Sequence, residues 1–107
     1  MPAKYFGSLM VNDTLWHNVV TGVSGKDATV SFYISNHNSF DVNVSLAITT
    51  DTSALPVVSA HRIVHLDSLI YAKNSRIFPG MVLPGNIAYA IKSSDPNISV
   101  TVVGFED

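Results

Sequence analysis

Residues 28–49 alternate with a period of two on either side of a short polar run. Val30, Phe32 and Ile34 are separated by Ser31, Tyr33 and Ser35; further on, Val42, Val44, Leu46 and Ile48 are separated by Asn43, Ser45 and Ala47. Successive side chains leave opposite faces of a pleated strand, so this pattern is that of two half-buried β-strands and is incompatible with an amphipathic helix. The run Asn36-His37-Asn38-Ser39-Phe40-Asp41 between them is rich in residues that hydrogen-bond their own backbone and tolerate turns. The pattern predicts an antiparallel hairpin with an apolar face and a face of small, uncharged polar groups. On this reading Val30, Phe32, Val44 and Leu46 enter the core, and Ser45 lies on the outer face, where replacement by Ala has little effect.

The remainder of the chain is also strand-like. Strands are predicted at 5–11, interrupted by Gly7, and at 14–20, where Leu15 and Val19 oppose Trp16 and Val20 across the pleat. That second strand reads as covered on both sides. Residues 51–56 form an Asp/Thr/Ser/Pro-rich loop. Residues 61–69 pair helix-like spacing (Ile63, Leu66, Ile70) with the β-branched Ile63-Val64 and lack a capping box, and are assigned as a strand. Residues 76–83 form a strand that Pro79-Gly80 must bulge or confine to an edge. Pro84-Gly85 suits positions i+1 and i+2 of a type II turn, and two clean strands, around Tyr89 and Val100, close the chain. About eight short strands with frequent turn signals predict one all-β domain over 1–107, an antiparallel two-sheet β-sandwich of the immunoglobulin-like or jelly-roll-like kind.

Composition narrows the function. Charged residues are 13% of the chain, against ~25% in an average protein, so its surface is easily desolvated and suits an assembly. The net charge is −2 and the six Lys and Arg are scattered, which excludes a phosphate-binding footprint and hence a nucleic-acid partner. With no cysteine there is no disulfide framework or thiolate zinc site. The opening Met1-Pro2-Ala3-Lys4-Tyr5 lacks the apolar core of a signal peptide, and no apolar run approaches the ~20 residues that span a bilayer. Cytoplasmic synthesis, with no membrane partner, is the expectation.

Candidate chemistry is sparse. His61 and His65 are four apart, but no neighbouring Cys or Glu completes a metal motif, and rim histidines are the plainer reading. Most aspartates fall at turns, the calcium-loop spacing is absent, and no Gly-x-Ser-x-Gly elbow supports a nucleophile. No catalytic, metal or cofactor site is therefore assigned. Trp16, Tyr33, Tyr71 and Tyr89 are candidates for a sugar-stacking platform, although core or subunit contact explains them more simply. Trp16, Val20, Tyr33 and Tyr71 are the candidate subunit-interface residues.

The order of segments Tyr5–Leu9, Ala28–Asn36, Val42–Ile48, Leu83-Pro84-Gly85 and the ending Ile98–Glu106 resembles the small all-β virion structural proteins of tailed bacteriophages. The resemblance covers nearly the whole chain, though Val23-Ser24-Gly25-Lys26 stands where relatives often have a Pro-Ala-Gly-like turn. It implies a head-decoration, neck, tail or baseplate subunit, made in the host cytoplasm and held in the virion. Such a subunit binds other virion proteins and copies of itself, a trimer being the first expectation by analogy with threefold attachments. It implies no enzyme activity and no cofactor. The alternative is a carbohydrate-binding module of a phage tail that recognises the host surface.

Overall fold

The computed structural model describes residues 3–56 and 61–106. Among these residues there are eight strands: β1 (Ala3–Val11), β2 (His17–Thr21), β3 (Ala28–Asn36), β4 (Val42–Thr49), β5 (His61–Ile70), β6 (Ser75–Leu83), β7 (Ala88–Ser93) and β8 (Ile98–Glu106). They form two antiparallel four-stranded sheets, sheet A in the order β1-β8-β3-β6 and sheet B in the order β2-β7-β4-β5. The pairings β1·β8, β2·β7, β3·β6 and β4·β5 are nested about the β4–β5 connection. The chain is thus one long hairpin folded over on itself, and the contacts β3·β8 and β4·β7 seal the fold. This is the jelly-roll form of the β-sandwich. Residues 61–70 are a strand, as the β-branched pair suggested.

The interior is filled from both sheets by the apolar phases of the strands. Val30, Phe32 and Ile34 meet Val42, Val44 and Leu46 there, joined by Tyr89, Ile91, Ile98, Val100 and Val102. Across the sheets the Phe32 and Tyr89 rings meet edge to face, with centroids 5.3 Å apart at 68°, a geometry that suits the aromatic quadrupole. The Tyr89 hydroxyl reaches the Val82 carbonyl at 2.7 Å, which satisfies the one polar atom that the buried ring carries, and burial raises its pKa. At the β5/β6 margin His65 packs on the Phe78 ring at 4.6 Å, and the Arg76 guanidinium lies 5.1 Å from the same ring.

The strands β3 and β4 are not the hairpin that their alternation predicts. They belong to different sheets, and residues 37–41 carry the chain across the interior as an arch. Asn36 sets this arch. Its buried side chain donates to the carbonyls of Phe40 at 2.8 Å and Ile70 at 3.1 Å, and its Oδ1 accepts the Asn38 backbone N–H at 2.9 Å. Both edges of β3 are already taken, by β6 and β8, so β4 has no place beside it. The inward phase is as the alternation predicts, because an arch and a hairpin bury the same alternate residues.

Three further expectations change. The second strand begins at His17 rather than at 14, and a bulge between Asn18 and Val20 lets both Val19 and Val20 pack against the core. The turn after β6 is one residue out of the predicted frame. Ile87 N–H donates to the Pro84 carbonyl, and Asn86, not Gly85, takes the positive φ of 63°. Gly85 is needed for space instead, since a Cβ there would lie 2.6 Å from the Val23 carbonyl oxygen. The third change is Ser45, which is buried; its hydroxyl accepts the N–H of Asp67 at 3.0 Å, where the bulged β5 has φ 46°.

Phe32→Ala is expected to cost ~3–5 kcal/mol by chemical denaturation, from lost burial and the cavity left against Tyr89. Ser45→Ala should cost ~1–3 kcal/mol, because the Asp67 N–H loses its acceptor. A silent Ser45→Ala would show that this bond contributes nothing.

Candidate functional site: the uncovered face of sheet A

The two outer faces of the sandwich are treated differently by the chain. On sheet B the inner strands carry Ala47, Ala88 and Ala90 outward, all fully buried, while the edge strand β5 exposes Ile63 and Leu69. The β4–β5 connection folds back to this side. Asn18, paired with Ala90, donates its side-chain amide to the carbonyls of Asp51 and Ser53, and its backbone N–H bonds the Ala54 carbonyl at 3.1 Å. Alanines at these positions leave room for a loop to lie against the sheet. Leu15, Trp16, Leu55, Pro56 and Lys92 line a shallow depression of about 390 Å³ beside it. The neighbouring 12–16 connection is held by Asp13, which accepts from the His17 ring at 2.6 Å and from the Leu15 N–H at 3.0 Å. Those two bonds, His17 first, hold the Asp13 carboxyl below its ordinary pKa.

Among the described residues no connection covers sheet A in this way. Its outward positions can be read row by row from the strand registers, in the order β1, β8, β3, β6. The first row is Ala3, Phe105, Thr29, Val82; the second is Tyr5, Val103, Ser31 and the Pro79-Gly80 bulge; the third is Ser8, Thr101, Tyr33, Ile77; the fourth is Met10, Ser99, Ser35, Ser75. Tyr5 is 61% exposed, Val82 59% and Ile77 52%, and Met10, Tyr33 and Phe105 are exposed as well.

No outward position of this face carries a charge. The three charged residues described in sheet A fall on the inward phase at its margins: Lys4 opposite Gly104, Arg76 opposite Ile34, and Glu106 opposite Ala28. Lys4 and Glu106 pair with each other at 2.8 Å, which neutralises both. The other described charges lie in connections or in sheet B. Several hydroxyls of the face are already bonded within the domain: Tyr5 to Ser8 at 2.8 Å, Ser35 to Ser75 at 2.6 Å, and Ser99 to the His37 ring at 2.8 Å. Drying this surface therefore leaves these hydroxyls with their partners.

The four candidate interface residues are not brought together. Tyr33 is at the centre of the bare face, Tyr71 is exposed in the β5–β6 turn, Trp16 is half-buried on the sheet B side, and Val20 lies in the core. With Tyr89 in the interior, the four aromatics do not form a common sugar platform. The residues that join Tyr33 are Tyr5, Ile77, Val82 and Phe105. Their signal in the sequence was the absence of charge from one phase of four separate strands, which becomes a surface only when the pairing is known. His61 of the histidine pair has a side chain outside the described residues, while His65 is committed to Phe78. Among the described residues no three His, Asp or Glu side chains are grouped as metal ligands.

No protein-family model matches this chain, and no curated protein does. Among solved structures it is similar to a chain of infectious bursal disease virus, Gx strain, with TM-score 0.53 and 10% identity over 98% of this chain and 31% of that one. A second is the VP2 subviral particle of infectious bursal disease virus, with TM-score 0.41 and 13% identity over 97% and 32% of the two chains. The Anabaena sensory rhodopsin transducer aligns over 98% of this chain and 85% of its own, with TM-score 0.40 and 12% identity. The chain spans about a third of the length of the viral chains it matches. At such identities the likeness is one of fold.

Asn18→Ala should release the 51–54 backbone from sheet B. Faster amide exchange and proteolysis within 51–55, with β3 and β8 unchanged, is the expected result. An unaltered exchange pattern would show that Asn18 does not hold the loop.

Proposed function

We propose that this chain is a virion structural subunit that acts through protein–protein contacts, without catalysis. The observation that carries the reading is the charge-free outer face of sheet A with its exposed large apolar side chains, on a domain whose β4–β5 connection folds toward the other face. Large exposed apolar side chains side by side on one sheet face are uncommon on a monomer and mark a protein contact. The jelly roll is a fold that virus particles use repeatedly, and the viral chain of similar fold agrees with this reading. Within the class, the segment order that resembles small all-β proteins of tailed bacteriophages favours a decoration, neck, tail or baseplate subunit present in several copies. The expected trimer has only the analogy with threefold attachments behind it.

The nature of the face sets the test. A contact without charges is insensitive to screening, so the protein should remain with purified particles through a wash in about 1 M salt, where surface ion pairs are weakened. Particle fractions can be assayed by mass spectrometry. Absence of the chain from particles, or its release by salt alone, would contradict the proposal.

A further inference from the structure

We propose that the outer face of sheet A is the contact surface for a second copy of this chain, packed face to face about a twofold axis. The inference rests on reading this face as a protein contact and goes further by naming the occupant. In a twofold contact the same patch meets itself, so any charge near the axis faces a like charge. A face without charges meets that condition, and the outward positions of all four strands satisfy it.

The strand registers make the face self-complementary in shape. With the axis along the strands, between β8 and β3, each strand lies over a known partner: β1 over the second copy's β6, and β8 over its β3. Tyr5 then lies over the Pro79-Gly80 bulge, where Gly80 has no side chain and a Cβ built on it meets nothing within 4 Å. Ile77 lies over Ser8, Tyr33 over Thr101, and Val103 over Ser31. In each pair a large group meets a small one, as interdigitating sheets require when they pack about 10 Å apart at roughly 30°. An axis across the strands keeps the same match, because the alternation runs in both directions; Tyr5 would then face Ser8, and Tyr33 would face Ser31.

The area is sufficient. Four strands about 4.8 Å apart and eight residues rising about 3.4 Å each give a projected footprint of roughly 500 Å² per copy. Two such faces give roughly 1,000 Å² before side-chain relief is added, the threshold for a specific interface. Because Ser35, Ser75, Ser99 and Tyr5 have partners within the domain, pairing does not leave their hydroxyls unsatisfied.

The test uses the isolated full chain. Light scattering at about 100 micromolar should give twice the 11.5 kDa chain mass, and dilution should return the monomer with a single dissociation constant. Ser31 is central and partly exposed, so Ser31→Lys should weaken the pairing on the order of 100-fold by setting like charges together, with thermal stability retained. Mixing Ser31→Lys with Ser31→Glu chains should restore a dimer containing one of each. A monomer at this concentration, a dimer indifferent to Ser31→Lys, or a mixture that stays monomeric would each overturn the proposal. Salt-resistant retention on particles is scored separately, so a monomeric chain that still binds particles would defeat the twofold pairing and leave the virion reading standing.

Discussion

Two four-stranded sheets share one interior but have two exteriors, and a chain of this size has little material with which to cover both. The pleat sends alternate side chains outward on every strand, and each outward surface must be either wet or covered. Here the β4–β5 connection, tied by Asn18, lies to the sheet B side, where the inner strands carry Ala47, Ala88 and Ala90 outward, small enough to admit it. Sheet A carries rings and branched side chains outward and no charges at all. The contrast between the two faces follows from local residue choice and from one loop.

The nested pairing explains how distant segments build that surface. Tyr5 and Phe105 are neighbours because the first and last strands are partners, and Tyr33 joins them because β3 is on the other side of β8. The core depends on the same arrangement. Phe32 in sheet A meets Tyr89 in sheet B, so the contact that locks the two sheets is made by strands from the two halves of the folded hairpin. Such non-local pairing is of the kind that folds slowly, since long loops must close before any contact rewards them.

Much of the fold could be read from period-two alternation, and its failures share one cause. Alternation reports which residues face inward but not which sheet a strand joins, so the 28–49 segment reads as a hairpin although Asn36 bends it into an arch. Bulges shift the phase: the one before Val20 turned an apparently two-faced strand into one whose valines both reach the core. Ser45 looked like a solvent-facing residue because its acceptor role depends on Asp67 in a strand it could not be known to join. The contact surface was legible only in fragments. Tyr33 stood out as an aromatic on the polar phase, yet Tyr5, Ile77, Val82 and Phe105 become its neighbours only once four strands are in order.

The account turns on which exterior is dried when copies meet. Side-chain oxidation footprinting across a concentration series reads that directly, because Met10, Tyr5, Tyr33 and Phe105 of sheet A can be compared with the exposed Phe40 and Tyr71 outside it. The account predicts that the four sheet A side chains lose reactivity together as concentration rises while Phe40 and Tyr71 stay reactive. Unchanged sheet A reactivity in an associated protein, or protection confined to residues outside that face, would contradict it.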